Sequence, residues 1–377
     1  MAIKKVLSES VELCNTSEAK TFVVKKNRKK AMIITLAVLL FLYIAVPFGL
    51  AIYIFERAYS FRVESPVYSP YIRYDDVDGY DRQLAFFYSG ENKLQAYIYG
   101  ENNDKGLIVM AHGIDWGAEN HFVETMYFVD SGWQVFAYDN TGRYGSEGRG
   151  AISMPQAISD LEAALIYIES QNWNLPILLY GHSLGGYAVT AIQNYDLPIN
   201  INAIVSISGF SSPVAVKHEV ARDHIGLGFI ATWGYPHTWL YNRFLFGKNA
   251  NLSAIDGINS GEIPTLIIHG TDDHLILYGG SSITSQRNKI INPNAVFITR
   301  DVSPNNGHST LWLVPESATY RAEMIEAYDN LEEYYNGNIP DEVLFDFYNE
   351  YRNKVNTLDV SFMDKINVFF EINLEQR

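Results

Sequence analysis

The protein has 377 residues, of which 47% are hydrophobic and 19% are charged. This composition supports a packed core and excludes a wholly disordered chain. The formal net charge of −15 argues against a nucleic-acid-binding protein, which would carry a basic face. The single cysteine, Cys14, can neither close an internal disulfide nor supply a cysteine-rich zinc site.

The amino-terminal part of the chain differs in character from the rest. Residues 1–30 hold eight Lys or Arg and three Glu, a net charge of +5, and residues 31–55 follow without one charge. A helix of 25 residues spans about 37 Å, enough for a hydrocarbon core of about 30 Å. We therefore predict a basic arm at 1–30 and a transmembrane anchor at 31–55.

Two alternatives to an anchor remain for this segment, a buried core helix and a cleaved signal peptide. The apolar run is longer than the roughly 7–15 residues of a signal peptide. The more basic flank of a membrane helix stays in the cytoplasm. We therefore expect a single-pass protein of the cell membrane, with its N-terminus and Cys14 in the cytoplasm and residues 56–377 outside it.

After an aromatic, turn-rich stalk at 56–82, the chain alternates between apolar runs and helical spacing. The runs predict strands at 84–89, 94–99, 106–111, 133–138, 177–180, 201–208, 264–270 and 295–302. Helical spacing covers 118–131, 155–171, 184–194, 316–336 and 340–357. This alternation predicts an α/β fold with a mostly parallel sheet covered by helices on both faces. The end of the chain, 358–377, fits either a packing helix or a docking segment.

The strongest motif is Gly181-His182-Ser183-Leu184-Gly185, which fits G-x-S-x-G between a strand and a helix. A serine on such a tight turn holds its hydroxyl above the sheet. The two glycines leave room for the turn to pack. The backbone N–H of Leu184, at the helix start, can stabilise an oxyanion. The alternative is a Gly-Ser turn with a purely structural role.

With this motif the sequence resembles the α/β-hydrolase superfamily, in particular the serine hydrolases that include monoacylglycerol lipases and serine aminopeptidases. The resemblance covers about 84–335 and implies a hydrolase domain at 83–340 with a helical tail at 341–377. His112-Gly113 matches the oxyanion loop, which makes Ile114 the second oxyanion donor, ahead of Asp115.

A second loop, from Asp139 to Gly148, resembles the D-x-x-G…S-E-G loop of the family. Its inner glycine is offset, because Gly145 stands one place later than usual. We therefore expect this loop to be shaped differently here.

The acid and the base of the triad also come from the resemblance. His269-Gly270-Thr271-Asp272-Asp273 fits H-G-x-x-D, which makes Asp273 the acid and Asp272 its competitor. Asn306-Gly307-His308 follows the last predicted strand, where the family has its general base. His274 competes with His308 but stands too close to Asp273 in sequence. The order Ser183, Asp273, His308 is the one expected for this fold.

About fifty residues, 211–260, stand where this superfamily has a cap. They hold seven aromatic residues: Phe229, Trp233, Tyr235, Trp239, Tyr241, Phe244 and Phe246. These rings either line a substrate pocket or form the core of the cap. An aminopeptidase would need a carboxylate for the substrate amine, for which Glu219 and Asp223 are candidates. His218-Glu219 begins a zinc-protease motif, but Arg222 replaces its second histidine, so we reject a zinc site.

The sequence therefore predicts a membrane-anchored serine hydrolase acting on small-molecule or lipid-like carboxylic esters, with no cofactor and no metal. The first rival is a serine peptidase or amidase, and the second is a catalytically silent hydrolase fold used for binding. All three triad positions are filled, which argues against a silent fold. The oligomeric state is left open.

Overall fold

The computed structural model describes residues 27–50, 52–53, 61–149, 154–220, 222 and 228–374, without the side chains of 228–233, 235, 238 and 248. The chain divides into two units, Met1–Tyr53 and Ile54–Arg377. Most of the predicted arm at 1–30 lies outside the described residues.

In the first unit the described residues form helix α1 (Asn27–Leu50). Its most apolar 18-residue window has a mean hydropathy of 2.6 and is 6% buried, unlike the core helix of a soluble protein. The helix is therefore long and apolar enough to cross a membrane. A signal sequence near the amino terminus has the same properties.

The second unit is built on a sheet of eight strands, at the places where the sequence predicts them. The strands are β1 (Arg82–Ser89), β2 (Asn92–Tyr99), β3 (Leu107–Ala111), β4 (Gln134–Tyr138), β5 (Ile177–His182), β6 (Ile201–Ile207), β7 (Thr265–Gly270) and β8 (Ala295–Arg300). Their order is β1-β2-β4-β3-β5-β6-β7-β8. The pairs β1/β2 and β2/β4 are antiparallel, and all other neighbours are parallel.

Helices connect the strands and cover the sheet. They are α2 (Phe122–Asp130), α3 (Met154–Ser170), α4 (Leu184–Ala191), α5 (Pro213–Glu219), α6 (Gly228–Phe246), α7 (Ala254–Gly261), α8 (Pro315–Tyr334), α9 (Asp341–Arg352) and α10 (Val360–Ile372). The apolar positions that predict α3 are buried, namely Ile158, Leu161, Leu165 and Ile168. This stripe explains why the segment forms a helix against the sheet.

The hydrophobic core lies in two layers, one on each face of the sheet. One layer holds buried side chains of α3, α4 and α7, and the other holds those of α2 and α10. β3 is at most 1% exposed at every position, as expected for a central parallel strand. The predicted fold class is confirmed, and the carboxyl ends of the parallel strands meet at one edge, where such folds bind ligands.

The two ends of this unit both pack onto it. Of the predicted stalk at 56–82, the described part from Phe61 onward lies on the domain: Val63 N donates to Gly142 O at 3.0 Å. At the other end, the sequence left two readings open for 358–377, and the structure shows a packing helix. Phe362 and Phe370 of α10 are buried in the second core layer.

Candidate active site

Ser183 occupies a tight turn between β5 and α4. Its backbone has φ 55° and ψ −113°, a conformation that a non-glycine residue keeps only where its surroundings impose it. A Cβ on Gly181 would lie 2.3 Å from the carbonyl oxygen of Gly185, and one on Gly185 would lie 1.9 Å from that of Ala111. Both glycines of the motif are therefore required by packing, in the strand–turn–helix context that a nucleophile elbow needs.

Asp273 and His308 meet at the same edge of the sheet, although 35 positions separate them in sequence. His308 Nδ1 lies 2.7 Å from Asp273 Oδ2, and Asp273 is 2% exposed. The other carboxylate oxygen accepts hydrogen bonds from the backbone N–H groups of Leu275 and Ile276, at 3.0 and 2.8 Å. This arrangement gives His308 an Nδ1–H and leaves its Nε2 free to accept a proton.

Burial alone would raise the pKa of Asp273. The hydrogen bonds from His269 and His308, and the electrostatic attraction between the carboxylate and these rings, outweigh that effect and hold the pKa of this carboxyl below its usual range. Asp273 is therefore ionised near neutral pH. It can stabilise the imidazolium that forms when His308 takes a proton.

The competing residues are placed differently. The side chain of Asp272 is 59% exposed and lies 3.4 Å from His274 Nε2, and the side chain of His274 is 80% exposed. These two form a surface pair beside the site. Of the two aspartates, the structure brings Asp273 to His308.

His269 supports the acid. Its Nε2 lies 2.9 Å from the carbonyl oxygen of Ile276 and 3.1 Å from Asp273 Oδ2, and its ring is fully buried. Because both partners are acceptors, Nε2 carries the hydrogen. The His269 ring thus ties β7 to the turn that follows Asp273.

The predicted oxyanion donors, Leu184 and Ile114, belong to the two segments that adjoin the serine. Leu184 is the first residue of α4, and a Cβ on Gly113 would lie 3.5 Å from the Cβ of Ser183. His112 Nε2 accepts from Asn140 N at 2.9 Å, so His112 Nδ1 carries the hydrogen and donates to Gly113 O at 2.6 Å. In a trans peptide the N–H points opposite to the C=O. The N–H of Ile114 therefore points away from His112.

The loop after β4 is shaped around a buried acid. Asp139 accepts hydrogen bonds from Ala118 N at 2.8 Å and Gly145 N at 3.2 Å, and burial raises its pKa to about 7. Tyr144, which precedes the offset Gly145, has a positive φ of 40°. The backbone of the loop is thus held in a left-handed turn at a bulky residue.

The cap region contains α5, α6 and α7. Phe229, Trp233 and Tyr235 lie outside the side chains that the structure describes. Of the other aromatic residues, Tyr241 is buried, whereas Trp239 and Phe244 are 41% and 82% exposed. The rings whose side chains are described therefore do not form a single core.

Neither carboxylate proposed for an aminopeptidase gains support. Glu219 is buried, and its two oxygens accept hydrogen bonds from Leu277 N and from the backbone N–H and hydroxyl of Ser281. Asp223 lies outside the described residues. In the described part of the chain, no group of three or more His, Cys, Asp or Glu side chains is placed to hold a metal ion.

His182 stands at the position that the G-x-S-x-G motif leaves undefined. In the structure its Nε2 lies 3.0 Å from the carbonyl oxygen of His308, and the two ring centroids are 4.9 Å apart. His182 directly precedes Ser183, so this contact joins the turn that carries the serine to the loop that carries His308. The motif carries no signal for this contact, because it joins residues 126 positions apart.

The chain is similar in sequence to a known family and to a protein of Bacillus subtilis. A family profile described as serine aminopeptidase, S33, matches residues 102–233, which include Ser183 and Gly113. The chain is 22% identical over 245 residues to the uncharacterized protein YqkD of Bacillus subtilis, covering 64% of this chain and 76% of that protein.

Two solved structures are also similar. The Pyrococcus furiosus esterase Pf2001 is 18% identical with a TM-score of 0.49, covering 74% of this chain and 99% of that one. The Pyrococcus horikoshii acylaminoacyl peptidase is 16% identical with a TM-score of 0.47, covering 69% of this chain and 42% of that one.

Proposed function

We propose that this chain, an α/β hydrolase that resembles the serine aminopeptidases and monoacylglycerol lipases, is a serine hydrolase that cleaves carboxylic esters. One observation carries the proposal. The 2.7 Å contact between His308 and the buried Asp273 stands at the edge of the sheet where Ser183 is held in a strained turn. That is the arrangement nucleophilic catalysis by serine requires.

The reaction follows from the roles of these groups. A serine hydroxyl is a weak nucleophile, so His308 Nε2 takes the proton of Ser183 as Oγ attacks the ester carbonyl. The N–H groups of Leu184 and Ile114 stabilise the oxyanion. His308 then gives the proton to the leaving alcohol, an acyl-serine remains, and water hydrolyses it by the same steps in reverse order.

The preference for esters is supported by Glu219, one of the two carboxylates considered for an aminopeptidase. Recognition of a substrate amine would use a free carboxylate, but Glu219 is fully engaged with Leu277 and Ser281. A peptidase is the second candidate, because the matching family profile is that of serine aminopeptidases. Rates on p-nitrophenyl esters of increasing acyl length, measured beside aminoacyl-p-nitroanilides, separate the two.

An active-site fluorophosphonate probe tests the chemistry itself. The wild type should be labelled, and Ser183→Ala should abolish labelling without changing the melting temperature by more than a few degrees. A folded wild type that resists the probe would favour a silent fold used for binding.

We further propose that α1 is an uncleaved membrane anchor with the hydrolase unit outside the cytoplasm. The length and hydropathy of α1 support the anchor, and the basic cluster from Lys25 to Lys30 supports the orientation. Protease added to intact cells should digest residues beyond 56. Protection of that region would reject the orientation, and a mature protein that lacks α1 would identify a signal sequence.

A further inference from the structure

Three side chains from three different elements hold the backbone of the loop that carries the candidate catalytic histidine. His182 Nε2 and Ser208 Oγ both donate to the carbonyl oxygen of His308, at 3.0 and 3.2 Å. The next carbonyl, that of Ser309, accepts from Arg321 Nη1 at 2.6 Å. Two consecutive carbonyls of one loop are thus fixed from the elbow, from the end of β6 and from α8.

These contacts determine which ring nitrogen of His182 carries the hydrogen. Its Nε2 faces a carbonyl oxygen, which can only accept, so Nε2 carries the hydrogen. Its Nδ1 has no hydrogen-bond partner in the described part of the chain, and lies near Gly113. Burial and the neighbouring imidazoles of His308 and His121 hold the pKa of His182 well below its usual range. The ring is therefore a neutral donor.

The position of the ring is fixed as well. The ring of His182 lies 5.1 Å from that of Trp116 and 4.9 Å from that of Trp312, measured between centroids, and His182 is 1% exposed. A side chain confined in this way loses little entropy when it makes its hydrogen bond. It can therefore hold the carbonyl group of His308 in a nearly constant position.

We propose that His182 is a positioning residue for catalysis, whose Nε2–H fixes the main-chain carbonyl of His308 and thereby places the catalytic imidazole beside Ser183. This inference rests on the proposed serine hydrolase function. Nucleophilic attack needs Nε2 of the base within hydrogen-bond reach of Oγ while Oγ faces the carbonyl carbon, and misplacement by about 1 Å can cost about 10²-fold in rate. His182, the residue next to the nucleophile, thus aligns His308, a base that is distant in sequence.

Two substitutions separate the hydrogen bond from the space that the ring fills. His182→Phe keeps an aromatic ring between the tryptophans and removes the donor. His182→Gln gives up the ring and keeps an N–H near the place of Nε2. With a p-nitrophenyl ester we expect His182→Phe to lower kcat by about tenfold with KM changed less than about twofold, and His182→Gln to retain most of kcat.

Asn292→Leu is the matched control. Asn292 is also buried and donates to two carbonyls, those of Ile258 and Ile263. It lies at the edge of the sheet opposite the candidate active site. Its loss should lower the melting temperature and leave kcat unchanged. Ser208→Ala removes the second donor to the His308 carbonyl and should lower kcat by a few fold; it carries the test if the His182 variants do not fold.

A His182→Phe variant with the kcat of the wild type overturns the inference. So does an equal loss of kcat in the Phe and Gln variants, because the ring would then only fill space. If only Ser208→Ala can be measured, an unchanged kcat overturns it. Wild type that hydrolyses no ester and resists the fluorophosphonate would reject the proposed function itself, which the variants do not test.

Discussion

Two regions of the molecule are built in opposite ways. One is the cap, and the other is the edge of the sheet that carries Ser183, Asp273 and His308, here called the catalytic edge. At the edge, main chains touch: Gly185 packs against Ala111 so closely that a single added carbon would overlap a carbonyl oxygen. In the cap, α6 leaves Phe244 82% exposed, contains Pro236 within its length, and has open space where a Cβ of Gly234 would stand. The turn that carries Ser183 therefore rests on contacts with no room for an added carbon, whereas the described part of α6 has room around Gly234 and Phe244.

The largest effect should come from the acid. Asp273→Asn keeps the shape of the side chain but removes the charge that orients His308 and stabilises its positive form, so kcat/KM on an ester should fall by about 10⁴-fold. The matched variant Asp272→Asn alters the neighbouring exposed carboxylate and should stay within about twofold. Equal losses in both variants would mean that the acid is wrongly assigned.

Gly185→Ala should come next, acting on stability as well as on activity. The added Cβ would lie 1.9 Å from the carbonyl oxygen of Ala111, so β3 and α4 must separate. We expect a loss of about 1–3 kcal/mol or more in the free energy of unfolding, with weaker fluorophosphonate labelling. Urea titration measures the first quantity. A variant as stable as the wild type would show that the two elements are not in close contact.

Asp139 should make the catalytic edge sensitive to pH. Its pKa is about 7 in the folded protein and about 3.9 in an unfolded chain, so between these values the folded state binds the additional proton. Stability must then fall as the pH rises from about 4 to 7, by a few kcal/mol for this group. The free energy of unfolding of wild type relative to Asp139→Asn should decline between pH 5 and pH 8. A constant difference would contradict the shift.

The smallest effect belongs to the cap. Gly234→Ala places a methyl group in open space within α6, where alanine favours the helix over glycine by about 0.5–1 kcal/mol. The melting temperature should rise slightly, and labelling by the fluorophosphonate should not change. A loss of stability would show that the cap is packed as tightly as the edge.

The fold could be predicted from the sequence because its signals are local. Each apolar run bounded by turn residues forms a strand, and the apolar stripe of α3 faces the sheet as its spacing predicts. The elbow is equally local, since Gly181 and Gly185 are required by contacts within and beside one turn.

What the sequence left open depends on contacts between distant positions. The hydrogen bond between His182 and His308 joins residues 126 positions apart. The ion pair between Arg300 and Asp359 joins residues 59 positions apart. No periodicity encodes such pairs. The choice between Asp272 and Asp273 needed the place of His308, and the choice between the two readings of 358–377 needed the apolar face that α10 covers.

That face has a consequence for biosynthesis. Phe362, Met363, Ile366 and Phe370 of α10 complete a core layer that also contains residues of β2, β3 and β4. About 60 residues separate the end of β8 from the start of α10, which a ribosome adds in roughly 3–12 s. During that interval one face of the sheet stands without its last helix. If α1 enters a membrane during synthesis, as proposed above, the unfinished domain must be kept from aggregating until α10 is made.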